Sequence, residues 1–337
     1  MKKKNKIFLL SFTTPIITIG IIFALASIFP FGNKSILIND LSTQYVELME
    51  YLKNALLGKH SFFYSFNWGM GKSLVGTIAY ILSSPVNILL IFYPKTDIQL
   101  VIFIITLIKY GLIGLSFNFF LYKKFHTENY NTILFSLCYS LMAYNISYTL
   151  NIMWLDGVFL LPIVLGYLVE MIETDKKTGL IISLTLLIIS QFYMAYIVIL
   201  FSIVYFWYEI FTKKYNINLK EAFLKFFKYI GLIELSAAIS AFLTLPTYLS
   251  LVRENSMQSL LTFNINYEFG DILSKVFIGS FDTLRTFGTP NLYCGIIIII
   301  LSIGYFLSNK VNKKEKIFSF LVLFIMYASL RLEFLYM

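Results

Sequence analysis

Apolar residues gather in long runs separated by short polar segments, the pattern of a chain that crosses a bilayer repeatedly. Runs at 7–29, 98–122, 132–148, 158–173, 178–190, 192–211, 228–250, 292–308 and 316–335 predict nine spanning helices. About 20 apolar residues suffice to cross a hydrocarbon core roughly 30 Å thick. Segments 178–190 and 192–211 read as two helices joined by a tight hairpin near Gln191, since one helix over both would be about 51 Å long. The first run follows Lys2, Lys3, Lys4 and Lys6 and continues past Ala24-Leu25-Ala26, which resembles a cleavage site. It is longer than a signal-peptide core of about 7–15 residues and is read as an uncleaved helix.

Three stretches break the pattern. Residues 30–75 and 251–291 are mixed and polar, and 76–94 is apolar but carries Ser83-Ser84-Pro85 at its centre. Within 41–58, Leu41, Tyr45, Leu48, Met49, Leu52, Ala55 and Leu56 recur at helical spacing, while Thr43, Glu47, Glu50 and Asn54 fall on the other face. This predicts an amphipathic surface helix that stops at Gly58.

Composition removes the soluble alternative. Charged residues make up 13% of the chain and hydrophobic ones 58%, against about 25% charged in an ordinary soluble domain. The net charge of +9 is not a nucleic-acid signature, because no basic helix or Arg-rich stripe lies outside the apolar runs. Its placement gives orientation. Lysines cluster at the N-terminus, at 123–124, at 176–177, over 213–228 and over 310–316, and together hold 17 of the 27 Lys and Arg. The positive-inside rule places all five clusters in the cytoplasm only if 76–94 does not cross. That stretch is therefore expected to lie along, or dip into, the outer interface, broken at Pro85. Cys138 and Cys294 both fall in apolar runs, which argues against a disulfide framework or a Cys-based metal site.

Few polar groups are placed for chemistry. Asp40 precedes the amphipathic helix on the outer side, as its N-cap or as a general base at the membrane surface. Asp156, in Trp154-Leu155-Asp156-Gly157, reads as a turn residue of the second outer loop or as a second carboxylate facing the same pocket. Lys109 lies mid-span, where a cation costs a few kcal/mol and turns toward protein or water. Of Glu170, Glu209 and Glu234, Glu234 is the deepest and is the expected partner of Lys109. Gly69-Met70-Gly71-Lys72-Ser73 lacks phosphate-loop spacing and faces outward, so it is read as a flexible loop with one cation. His60 and His126 fall on opposite sides and share no metal.

The order of several short motifs resembles the YfhO family of bacterial membrane proteins, which are of the GT-C type of glycosyltransferase. The residues concerned are Asp40-Leu41 with Gln44-Tyr45, Tyr80 with Ser84-Pro85-Val86-Asn87, and Lys109 with Gly114-Leu115. They continue through Trp154-Leu155-Asp156, Leu161-Pro162, Phe192-Tyr193 and Gly288-Thr289-Pro290-Asn291-Leu292-Tyr293. The resemblance implies an all-α GT-C-like module over 1–250, with outer loop 30–97, followed by an outer loop over 251–291 and further helices over 292–337. It also implies a polyprenyl-phosphate-linked sugar as donor and an extracytoplasmic polymer such as teichoic acid as acceptor, in a bacterial plasma membrane. Asp40 would be the catalytic base, and Asp156 would assist by positioning or by holding a divalent metal. The departing lipid phosphate needs a cation, for which Arg285, Lys72, Arg253 and Lys275 are the outer-side candidates. YfhO-like proteins usually continue well beyond this length, so a chain closing in an apolar run at Met337 is expected to be an N-terminal portion or a truncated product. The competing classes are a transporter or flippase of lipid-linked sugars, whose polar groups would sit at mid-membrane, and a non-catalytic membrane subunit.

Overall fold

A computed structural model describes residues 3–213, 215, 217–253, 264–265, 267–279 and 290–333. The chain is an all-α polytopic membrane protein. The long apolar helices are α1 (Lys3–Leu25), α4 (Ile98–Phe125), α7 (Trp154–Thr174) and α9 (Phe192–Thr212). Among the described residues four helices are long and apolar enough to cross a membrane, or up to six if each of two bent pairs is one span.

Contacts at the helix ends fix how they run. Lys4 stands 3.9 Å over the ring of Tyr122 near the end of α4, and Phe23 packs on Phe103 near its start, so α1 and α4 are antiparallel. The basic segments meet at one end of the bundle. Lys123 pairs with Glu170 at 2.8 Å, Lys124 with Glu209, Lys213 with Glu173 at 2.8 Å, and Lys228 with Asp175 at 2.6 Å. Lys314 reaches the same end, 6.0 Å from the ring of Phe211. Hydrogen bonds from Lys228 hold the exposed Asp175 carboxyl below its usual range. Residues 26–97 therefore begin and finish at the opposite end, and the 76–94 stretch enters and leaves from that end. It folds as α3 (Val75–Leu82) and a 3-10 helix over Pro85–Phe92, bent by 94° at Ser83-Ser84. Proline opens the second arm because its ring blocks continuation of the first and its missing N–H is not needed at a helix start.

The amphipathic segment forms a wide π turn over Leu41–Tyr45 running into α2 (Val46–Leu56). Leu41, Tyr45, Leu48, Met49, Leu52 and Ala55 are its buried positions, and Gly58 follows at φ +74, which glycine adopts without strain. These residues pack with Ile81, Leu82, Leu90, Ile102, Ile105, Ile152 and Met153 into a core at the end opposite the lysines. A hairpin of β1 (Tyr64–Ser65) and β2 (Lys72–Ser73) projects there. The larger core lies within the bundle, where α7 packs against α4, α8 (Thr178–Ser190) and α9. The break between α8 and α9 is an extended Gln191, and the two helices run antiparallel from it, as the hairpin expectation required.

Two expected spans are broken. Residues 132–148 form α5 (Asn131–Ser140) and the short α6 (Ala143–Ser147). The Asn145 side chain donates to the carbonyls of Tyr139 and Ser140, closing α5 with bonds that a continuous helix would make through its backbone. Residues 228–250 form parts of α10 (Leu219–Ile239) and α11 (Ala241–Arg253), bent by 75° at Ser240. Ser236, Ser240, Thr244 and Thr247 each bond back one turn, which bends helices, and Pro246 removes a further donor. Beyond α12 (Phe269–Ser274), α13 (Ile296–Leu307) and α14 (Lys313–Arg331) expose large apolar side chains along their length. Bilayer hydrocarbon is the solvent that accepts such faces.

Candidate functional site

The two carboxylates of interest occupy different environments. Asp40 is exposed at the end opposite the basic segments and forms no side-chain capping bond. The carbonyl of Asn39 instead receives the Ser42 and Thr43 hydroxyls. The π turn that follows carries Tyr45, which lies within electrostatic reach of Asp40 and also of Tyr80. Burial, then Asp40 and Tyr80, push the Tyr45 hydroxyl up to about 12. Tyr80 sits in a second π turn, Ile78–Leu82. Wide turns of this kind are rare and recur at functional sites.

Asp156 belongs to the first turn of α7 and is fully buried, so the outer-loop placement is corrected. Its Oδ2 pairs with Lys109 Nζ at 3.0 Å, and its Oδ1 accepts from Ser84 Oγ at 3.0 Å. Lys109 also donates to the Ile152 carbonyl at 2.9 Å. The expected partner of Lys109 is corrected likewise: Glu234 is exposed on α10. Lys109 stands about 16 Å along α4 from Ile98. An α7 that starts beside it starts well inside the bundle, and the elbow at Ser84 dips to meet it. The elbow is pinned on other sides too. Ser83 Oγ donates to Ser190 O at 3.1 Å, Gln191 Nε2 to Tyr80 O at 2.8 Å, and Asn87 Nδ2 to Leu82 O at 3.0 Å. The two backbone breaks, at 83–84 and at 190–191, thus satisfy each other's loose carbonyls, as buried backbone requires.

Aromatic rings cluster beside the elbow and the start of α9. Tyr80 lies 6.0 Å from Phe192 and 6.4 Å from Tyr193, Tyr144 lies 4.8 Å from Tyr148, and Tyr148 lies 5.1 Å from Trp154. Buried polar atoms without a hydrogen-bond partner also occur here, among them Asn87 Oδ1, Ser190 Oγ and Trp154 Nε1. Such groups ordinarily mark water or ligand contacts.

The other predicted residues scatter. Lys72 is exposed on β2, and Lys275 is half-buried after α12. Arg285 and most of the 251–291 loop lie outside the described residues, as does the side chain of Arg253. Among the described residues, no group of three or more His, Cys, Asp or Glu side chains is placed to hold a metal. Both oxygens of Asp156 are occupied by Lys109 and Ser84, and an ammonium in that position repels a second cation. A metal on Asp156 does not fit this arrangement.

Sequence reasoning did not reach the pairing of Lys109 with Asp156 or the tie to Ser84. The one signal available was the shortage of charge in the spans: a mid-span cation requires a carboxylate near its own depth.

A family model described as bacterial membrane protein YfhO matches residues 11–337. No curated protein and no solved structure gives a match.

Proposed function

We propose that this chain, a member of the YfhO family of bacterial membrane proteins, transfers a sugar from a polyprenyl-phosphate donor to an extracytoplasmic polymer such as teichoic acid. The observation that carries the reading is Asp40: an exposed carboxylate that caps nothing, at the head of a π turn whose Tyr45 lies within its electrostatic reach, at the end away from the lysines. By the positive-inside rule that end is the outer face, where a lipid-linked sugar meets a polymer. In this reaction Asp40 takes the proton of the acceptor hydroxyl. The acceptor oxygen attacks the anomeric carbon on the face opposite the phosphate, the bond from carbon to phosphate oxygen breaks, and polyprenyl phosphate leaves with the electron pair. Configuration inverts, and the leaving anion needs no general acid. Lys72, Lys275, Arg253 and Arg285 are the cations proposed to meet its charge. The Lys109–Asp156 pair and Ser84 act as positioning residues that hold the elbow below Tyr80. A transporter would use that pair as its substrate site, but the two charges are closed on each other.

The test compares wild type with Asp40→Asn, matched for expression and melting temperature, in transfer from a polyprenyl-phosphate sugar. Loss of a proton acceptor is expected to cost about 100-fold or more. Near-normal transfer by Asp40→Asn would sink the assignment. Transfer from a nucleotide sugar without lipid would remove the proposed donor.

A further inference from the structure

Along the helix that begins at Asp40 lies a polar cleft that the transfer chemistry leaves unused. It has a volume of about 250 Å³, set between α2 and the β1–β2 hairpin. Its polar lining is Glu47, Glu50, Asn54, His60 and Asn67, and Trp68 supplies an indole beside them. Glu47, Glu50 and Asn54 project from successive turns of α2, spaced so that they fall on one side of the helix.

The walls are fixed. The Tyr51 ring stacks on His60 at 5.0 Å and 11°, and its hydroxyl donates to Ser61 O at 2.8 Å. Ser65, buried at the floor, is held in register opposite Lys72, and its Oγ accepts from the Asn67 N–H at 3.2 Å.

We propose that this cleft holds one neutral polyol or sugar unit of the acceptor polymer, a reading that rests on the transfer reaction proposed above. Its size is below the range of about 300–1,000 Å³ for drug-sized ligands, and suits a single small unit. Carboxylates accept hydroxyl protons, the amides of Asn54 and Asn67 both donate and accept, and the indole face covers C–H surface. Two carboxylates disfavour a phosphate, so the cleft registers a polyol-phosphate chain by its hydroxyl-bearing units. Glu47 follows Asp40 by about 10 Å along the same helical rod. A unit held there brings the next hydroxyls of an oligomer toward Asp40, and the cleft thereby selects a polymer over a single sugar or polyol.

Calorimetric titration of the full chain in lipid nanodiscs with a glycerol-phosphate hexamer tests this without turnover. Saturable binding is expected, with Kd weakened about tenfold or more by Trp68→Ala and by Asn54→Leu, and not competed by tripolyphosphate. Failure of the wild type to bind overturns the proposal. So does unchanged binding in both cleft variants at matched melting temperature, or competition by tripolyphosphate as strong as by the hexamer itself. Normal transfer by Asp40→Asn alongside intact hexamer binding would overturn the catalytic assignment and leave the cleft standing.

Discussion

Breaking the buried ion pair at the elbow gives a measurable test of what holds the site together. Lys109 and Asp156 are both fully buried, and their charged atoms are 3.0 Å apart. At an effective dielectric constant near 20, two unit charges at that distance attract by about 5 kcal/mol before desolvation is counted. Lys109→Met leaves the Asp156 carboxylate with the Ser84 hydroxyl as partner, and Asp156→Leu leaves the ammonium with the Ile152 carbonyl. Each single change strands a buried charge and is expected to destabilise by about 3–5 kcal/mol. The double variant strands none. What remains is two neutral groups short of a partner, at about 1–3 kcal/mol each, so it is expected to cost far less than the sum of the singles. Reversible unfolding in mixed micelles by SDS titration, followed by tryptophan fluorescence, gives the three differences and their coupling. The expected coupling exceeds about 2 kcal/mol. A value near the roughly 0.6 kcal/mol average of polar contacts between membrane helices would refute the argument, because it would mean that water already reaches the pair.

Other outcomes follow from the same geometry. Cysteines introduced at Ser61 and Thr96 are expected to label with an impermeant reagent in intact cells while one at Lys123 stays protected; protection at 96 with labelling at 123 would reverse the reading of the 76–94 stretch. Gly114 lets α1 and α4 touch: a Cβ there would stand 2.7 Å from Pro15 Cγ. Gly114→Ala is therefore expected to destabilise by about 1–3 kcal/mol, read by the same SDS titration, and a neutral result would show that α1 is not clamped. Tyr45 titrates at about 12, above the value of about 10 for an exposed tyrosine. Its stabilising contribution is whole below pH 10 and is lost as pH rises from 10 to 12. The stability difference between wild type and Tyr45→Phe should accordingly be flat up to pH 10 and then shift in favour of the phenylalanine.

The helices of the bundle were legible because lipid demands long apolar runs, and the bend within 76–94 because proline interrupts that run. Pro85 marked the break itself. Legibility failed where side chains satisfy backbone groups locally. Asn145 ends α5 within an otherwise apolar run, and the Ser236–Ser240–Thr244 ladder bends α10 into α11, although neither changes the hydropathy pattern enough to show. The same limit hid the partner of Lys109. The Trp154-Leu155-Asp156-Gly157 sequence made Asp156 read as a turn, yet it lies buried in the first turn of α7, and depth is a property of packing rather than of spacing. The polar face of α2 was visible as an alternation, whereas the cleft it forms with the hairpin needed Tyr64–Ser73 pairing to bring Trp68 alongside.

The distance along the chain between Lys109 and its partner also sets an order of events during biosynthesis. The lysine leaves the ribosome 47 residues ahead of Asp156, so α4 reaches the translocon carrying a cation with no counter-charge yet made. A lone lysine at the middle of a helix opposes insertion by about 2.5–3.5 kcal/mol, which the apolar remainder of α4 must outweigh until α7 is made. Helix α4 is thus expected to linger at the lateral gate beside α1 and to settle into lipid only once α7 arrives. Nascent chains arrested just before Asp156 should crosslink through α4 to the translocon, and chains arrested after α7 should not. An Asp156→Leu chain should stay crosslinked at both lengths.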